Sequence, residues 1–199
     1  MNQKYSADLA SVSLKLTEAR AVARLMLEKV SGQQWQQAIQ RDNVLMLGNP
    51  ATAKRHANAL RSRLATLDDR GLVMVSQGNH AVALQILLAA TLKYSSILRD
   101  FIELLIKPQV ALGNLELPRH RWRGFLESCY ARDPEMKPWA DSTVARIGTA
   151  VFSILQESGY INDTRKPVLQ PVLIEHSVGE YLKKQGDEAI LRTMKVFES

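Results

Sequence analysis

The sequence predicts a mainly α-helical protein. Apolar side chains recur at spacings of three and four residues over most of the chain, whereas strand-like runs are few and short. The chain has 199 residues, of which 46% are hydrophobic and 23% are charged. A chain of this length and composition can bury a substantial core, as one large domain or two small ones.

Three helices are predicted in the first third of the chain. Residues 9–30 carry apolar side chains at helical spacing, and residues 35–40 form a short second helix. The third helix spans residues 50–67. Asn49 is a suitable N-cap for it, and Pro50 suits the first helical position because no amide hydrogen is needed there.

A short strand-like run follows the third helix. Residues 72–75 read Leu-Val-Met-Val, and residues 76–79 read Ser-Gln-Gly-Asn, which is a turn signal. A short helix, a tight turn, a longer basic helix and a strand-like run form the order of parts in a winged helix-turn-helix. We therefore expect residues 1–80 to form a winged helix-turn-helix-like, nucleic-acid-binding module.

Residues 81–199 are expected to form a helical C-terminal module, either separate or continuous with the first in one compact fold. Residues 168–174 are apolar but contain Pro171, so they form only an edge strand or an extended segment. Gly159 stands at the C-terminal cap position of the helix predicted over residues 138–158. Helical spacing predicts the helices of this module over residues 81–92, 94–106, 118–130, 138–158, 177–184 and 187–197.

The positive charge is concentrated in the first half of the chain. The formal net charge is +6 and the isoelectric point is about 9.5, which favours an anionic partner such as nucleic acid or a membrane surface. Residues 1–100 contain 13 Lys and Arg against 7 Asp and Glu, whereas residues 101–199 contain 13 of each. The half with the predicted module thus carries all of the excess.

The helix over residues 50–67 has an apolar face and a basic face. Its apolar residues form one stripe that must be buried, namely Ala53, Ala57, Leu60, Leu64 and Leu67. The opposite face has short polar side chains at its centre, which allow close approach to a DNA groove, and cations that meet phosphates. A solvated cationic helix face is the alternative interpretation. The predicted DNA-binding residues of this helix are Lys54, Arg55, Asn58, Arg61, Ser62 and Arg63.

The densest basic cluster is Arg-His-Arg-Trp-Arg at residues 119–123. We predict that Arg119, Arg121 and Arg123 extend the DNA-binding surface. Trp122 either stacks on a base or packs beneath the arginines, and packing is the commoner role.

No catalytic or metal-binding pattern is found in the sequence. Phosphate-binding glycine motifs are missing, and the four histidines are too far apart in sequence for metal-binding pairs. The single cysteine, Cys129, excludes an intramolecular disulfide and is expected in the core. We therefore expect a non-enzymatic protein with no cofactor and no metal.

A cytoplasmic protein with no membrane contact is expected. Residues 1–10 lack the basic-then-apolar order of a secretory signal. The most apolar stretch, residues 81–92, is well short of the roughly 20 residues that cross a bilayer.

Three stretches of the chain resemble the BrxA family of the BREX bacteriophage-defence systems. They are Tyr-Ser-Ala-Asp-Leu at residues 5–9, the basic helix after Asn49-Pro50, and the region from Ser-Gly-Tyr-Ile at residues 158–161 through Leu-Gln-Pro at 169–171 to Glu-Tyr-Leu at 180–182. Together with the overall length, these stretches span most of the chain. None is a catalytic signature, and no family pattern transfers a site residue by residue.

The resemblance implies a small, non-enzymatic component of a multi-protein bacterial defence system. It also implies binding of double-stranded DNA, a cytoplasmic location and other BREX proteins as partners, within a defence system that distinguishes self from phage DNA through methylation. Two alternatives stay open. The first alternative is a protein-interaction adaptor of the defence complex. The second is a helical RNA-binding protein, since a basic helical surface suits either DNA or RNA.

Overall fold

The computed structural model describes residues 5–133 and 135–198, and they are mainly helical. Residues 1–4 of the predicted N-terminal module, together with Pro134 and Ser199, lie outside the described residues. A π-helical turn spans Ile102–Ile106. The α-helices are α1 (Leu16–Leu27), α2 (Gly32–Gln40), α3 (Pro50–Leu64), α4 (Asp69–Gln77), α5 (His80–Tyr94), α6 (Ser96–Phe101), α7 (Lys107–Ala111), α8 (His120–Arg132), α9 (Asp141–Glu157), α10 (His176–Lys184) and α11 (Glu188–Met194).

Side-chain caps mark where α2 and α3 begin. In α2, the Ser31 hydroxyl accepts from the Gln34 amide while the Gln34 side chain accepts from the Ser31 amide, which is a capping box. In α3, Asn49 Oδ1 accepts from the amide of Thr52 at 3.0 Å, and Pro50 is the first helical residue. The predicted start of the third helix is confirmed.

We expect the Asn49→Ala substitution to lower the free energy of unfolding by about 1 kcal/mol, because the Thr52 amide loses its side-chain acceptor. Asn49→Ser is the matched control, since serine is also a good N-cap. Urea denaturation of the three proteins measures the difference. Equal losses in both variants would mean that the cap contributes nothing to stability.

The predicted strand-like run at residues 72–75 is wrong, because these residues belong to α4. Asp68 caps this helix, because its carboxylate accepts a hydrogen bond from the backbone amide of Gly71 at 2.8 Å. Leu72 and Val75, three residues apart, are both buried against the rest of the protein. Residues 68–79 therefore contain no strand, and the predicted wing is not formed.

The first predicted helix is too long at its N-terminal end. Residues 9–15 are not helical, α1 begins at Leu16, and Lys15 before it has a φ of 51°. The apolar spacing of residues 9–14 still marks burial, since Leu9 and Leu14 are fully buried. We call residues 5–15 the N-terminal segment.

The predicted helix over residues 94–106 is interrupted at Ser95, which has an extended backbone. Helical structure resumes in α6 and continues through the π-helical turn and α7. The other predicted helices of the C-terminal half are confirmed within a few residues as α5, α8, α9, α10 and α11.

Residues 168–174 are extended but do not form a strand. Single antiparallel bridges pair Val168 with Glu116 and Leu169 with Ile161, and no ladder develops from them. Pro171 lies two residues after Leu169 and has no amide hydrogen to continue the pairing. The predicted short β segment is therefore reduced to isolated bridges in the part of the chain that the structure describes.

The core is built around α5, which packs against α1, α3, α4, α10 and α11. Almost every residue of α5 from Val82 to Leu92 is buried. Among the described residues, no single helix is long and apolar enough to cross a bilayer; α5 and the helical stretch up to Ala111 meet that criterion only together, across a bend of 102°. The division into modules at residues 1–80 and 81–199 remains a prediction.

Candidate nucleic-acid interface

The two faces of α3 have the predicted environments. Its apolar stripe of Ala53, Ala57, Leu60 and Leu64 is fully buried. The opposite face is exposed, and it brings together five of the six residues predicted on this helix. These residues are Lys54, Arg55, Asn58, Arg61 and Ser62.

Arg63 is the sixth residue, and its predicted position on the exposed face is wrong. Its side chain is fully buried, and its two terminal nitrogens donate to the backbone carbonyls of Val12 and Ser13, each at 2.6 Å. Burial lowers the pKa of Arg63 to about 10, and the negative charge of Asp8 acts in the opposite direction. Arg63 thus stays charged at neutral pH and holds the N-terminal segment against α3, where no phosphate reaches it.

Arg61 is oriented by a tryptophan of the neighbouring helix. Its guanidinium carbon lies 4.5 Å from the centroid of the Trp35 ring of α2, and Trp35 itself is buried. Such a cation–π contact contributes about 0.5–1 kcal/mol at an exposed site. The contact fixes Arg61 at the edge of the exposed face.

A small cleft of about 220 Å³ lies between α2 and α3. Gln36 and Gln40 of α2 line it opposite Lys54, Asn58 and Arg61 of α3. The two glutamines were not predicted as site residues. Their signal in the sequence is the repeated glutamine at residues 33, 36, 37 and 40, which α2 brings to one side.

A larger groove of about 530 Å³ runs between the exposed face of α3 and the N-terminal segment, and we call it the α3 groove. Its α3 wall includes Lys54, Arg55, Asn58 and Ser62.

The opposite wall includes Ala7, Asp8 and Ser11. The carboxylate of Asp8 accepts hydrogen bonds from Ser6 and Ser95 at 2.9 and 2.7 Å, and burial raises its pKa. The one acid on this wall is therefore already engaged with hydroxyl groups.

The second predicted cluster lies at the start of α8, where all three arginines are exposed. Arg119 donates to the carbonyl of Thr164 and the hydroxyl of Thr149, at 3.2 and 3.3 Å, and its guanidinium lies 4.9 Å from the Phe152 ring centroid. Arg123 forms an exposed ion pair with Asp141 at 3.3 Å. These contacts position Arg119 and Arg123 along a groove of about 560 Å³ between α8 and α9.

Trp122 packs in the core, which confirms the commoner of its two predicted roles. It is buried, and its indole nitrogen donates to the carbonyl of Val144 at 2.9 Å. Its ring lies edge-on to Phe101, with centroids 5.4 Å apart. A tryptophan in this position has no face available for a nucleic-acid base.

Cys129 is also in the core, as predicted, and is fully buried. Burial raises the pKa of its thiol, which disfavours the reactive thiolate. Within residues 5–133 and 135–198, no three His, Cys, Asp or Glu side chains come together in a group that could hold a metal ion.

The fold and this surface define a class: a mainly helical protein that presents a basic helix face. The BrxA family model matches residues 3–186 of the chain. The chain belongs to the BrxA family of the BREX defence systems.

Similar proteins cover the chain almost completely. A BREX protein BrxA of Paramagnetospirillum magneticum is 39% identical, over 97% of each chain. A BREX protein BrxA of Escherichia coli is 27% identical, over 98% of this chain and 91% of the relative. A crystal structure of an uncharacterized protein from Magnetospirillum magneticum superimposes with a TM-score of 0.90 at 38% identity, over 98% of this chain and 100% of the other.

Proposed function

We propose that this chain is a non-enzymatic, cytoplasmic component of a BREX system that binds double-stranded DNA through the exposed face of α3 and works with other BREX proteins. One observation carries the proposal. The exposed face of α3 has cations at its edges and small polar side chains at its centre, and no Asp or Glu occurs in residues 43–67. A polyanion is the partner that such a face attracts.

The side chains on this face suit both parts of a DNA contact. Asn58 and Ser62 are short and lie beside Arg55, so a groove edge can approach α3 closely. Lys54 and Arg61 flank them, and their positive charges suit contacts with phosphates. Gln36 and Gln40 add amide groups from α2, which can pair with adenine.

The proposal does not depend on a helix-turn-helix motif. Residues 41–49 connect α2 to α3, and this connection is longer than the three- or four-residue turn of that motif. The exposed face of α3 supports DNA binding by its chemistry and accessibility.

We expect Arg55→Ala and Arg61→Ala each to weaken duplex binding. Each should also reduce the magnitude of the slope of log affinity against log salt by about 0.9, because binding with one phosphate contact fewer releases fewer condensed counterions. Fluorescence anisotropy with a labelled duplex, at a series of salt concentrations, measures both quantities. Arg192→Ala is the matched control, because Arg192 is exposed on α11 and lines none of the grooves described above.

Unchanged affinity and slope in both α3 variants would exclude α3 as the contact. Competition with structured RNA separates the polymers: displacement of the duplex by RNA at lower concentration than by unlabelled DNA favours the RNA-binding alternative.

A protein-interaction role has separate support in the C-terminal half. Leu112 and Leu173 are 86% and 88% exposed, so both side chains are accessible to a partner protein. This alternative predicts no salt-sensitive binding of DNA by the purified protein, and a stable complex with another BREX component instead.

A further inference from the structure

The α3 groove is the first of three grooves that follow one another across the surface. The second, of about 540 Å³, lies between the N-terminal segment and α9, and we call it the α9 groove. The third is the groove between α8 and α9, called the α8 groove below. Ser11 lines both the α3 groove and the α9 groove. Ala145 and Thr149 line both the α9 groove and the α8 groove.

The two basic clusters are therefore connected, although they lie more than 50 residues apart in the sequence. The N-terminal segment is the link, because its one side faces α3 and its other side faces α9. Arg63 holds this segment in place from inside the protein. A long ligand on α3 can pass over Ser11 and reach α9 without leaving the surface.

The exposed face of α9 is suited to an extended anionic ligand. Small side chains follow one another at three- and four-residue spacing, at Ser142, Ala145, Thr149 and Ser153, and allow close approach. Arg146 stands beside them, and Lys15 lies on the opposite side of the groove. Both cations are exposed, and in the described part of the chain neither forms an ion pair.

The acids near the α9 groove are largely engaged in contacts of their own. Glu157 itself lines the groove, and its carboxylate accepts a hydrogen bond from the backbone amide of Lys15 at 2.8 Å. Asp141 is paired with Arg123 at 3.3 Å. Glu127 lies further along and lines the α8 groove together with Arg119 and Arg123.

Arg119 can continue the contact in the α8 groove. Its guanidinium has five N–H donors, and its hydrogen bonds to Thr164 and Thr149 employ two of them. Stacking on Phe152 keeps the remaining donors in a fixed plane. An arginine held in this way suits a phosphate oxygen.

We propose that the α9 groove is a second binding site for the phosphodiester backbone, so that one duplex extends from α3 over the N-terminal segment to α9 and α8. This inference rests on the proposed function and extends it. Charge complementarity and continuity with the α3 groove both identify the occupant as the same nucleic acid. Arg146 and Lys15 contact its phosphates, and Arg119 contacts the next phosphates along.

The first test is Arg146→Gln in the full-length protein, with Arg192→Gln as the matched control. Loss of one phosphate contact lowers the salt slope by about 0.9. Affinity falls for both proteins as salt rises from 50 to 200 mM. By the same relation, the fold-decrease for the variant is about threefold smaller than the fold-decrease for the wild type. Arg146→Lys restores most of the slope, since it restores the charge.

The second test locates the DNA directly. Ser142 is exposed in the α9 groove, so Ser142→Cys offers a single reactive thiol, because Cys129 is fully buried. An iron–EDTA group on this thiol cleaves a nearby DNA backbone. We expect localised cleavage of the bound duplex, and none from the same group on Arg192→Cys.

The possible outcomes separate the two proposals. An Arg55→Ala effect with a normal slope for Arg146→Gln and no cleavage from residue 142 would overturn the α9 site and leave the α3 contact standing. Absence of salt-sensitive DNA binding by the wild type would overturn both. A reduced slope in both variants, with cleavage from residue 142, supports the continuous surface.

Discussion

Arg63→Met is expected to lower the free energy of unfolding by about 3–5 kcal/mol. The guanidinium makes two buried hydrogen bonds, to the carbonyls of Val12 and Ser13, and each hydrogen bond to a charged group contributes about 1.5–3 kcal/mol. Asp8 also loses the favourable charge interaction with Arg63. Methionine fills a similar volume, so the loss comes from the missing donors and the missing charge.

The structural consequence should be confined at first to the N-terminal segment. Without Arg63, the carbonyls of Val12 and Ser13 lose the hydrogen bonds that hold the N-terminal segment against α3. Limited proteolysis should therefore cut within residues 5–15 more rapidly. Guanidinium chloride denaturation measures the global change. Arg61→Met is the matched control, because Arg61 is exposed on the same helix, and its loss is expected to stay below about 1 kcal/mol.

An equal stability for wild type and Arg63→Met would contradict the structural role. If the variant kept its stability but lost a unit of salt slope in DNA binding, Arg63 would be a phosphate contact after all, as the sequence pattern predicted.

The α3 helix illustrates how much local sequence determines. Its N-cap, its first-turn proline and a four-and-three apolar stripe all indicate the same element. The helix starts at Pro50 as predicted, but it ends at Leu64, so the predicted end at Leu67 is three residues too late. Residues 72–75 show the limit of this reasoning. Four apolar residues in a row fit a strand or a buried helical turn equally well, and the Asp68 cap was the signal that favours the helix.

The candidate site shows a second limit, which is contact between distant parts of the chain. On a helical wheel, Arg63 lies about 40° from Leu67, at the margin of the apolar stripe. Its burial depends on Val12 and Ser13, about 50 residues earlier, and helical periodicity carries no information about them. The α9 groove could not be predicted for the same reason, since it is formed only where the N-terminal segment lies against α9.

Trp122→Ala is expected to lower the free energy of unfolding by about 3–5 kcal/mol while leaving the DNA affinity of the folded protein unchanged. The indole fills space beside Phe101 and Phe125 and donates to the carbonyl of Val144. Trp122→Phe should lose less, since it keeps most of the packing and forfeits only the hydrogen bond and part of the volume. Thermal or chemical denaturation, paired with anisotropy below the unfolding transition, measures both properties.

Arg121→Ala is the matched comparison, because Arg121 is the exposed neighbour of Trp122. If Arg121 contacts phosphate, its variant changes the salt slope and not the stability, which is the reverse of the expectation for Trp122. A Trp122→Ala protein of normal stability and weakened DNA binding would restore the base-stacking interpretation.

Gly148→Ala provides an independent check on the packing. Its added Cβ would lie 2.6 Å from Cδ1 of the Trp122 ring, and this overpacking should cost about 1–3 kcal/mol.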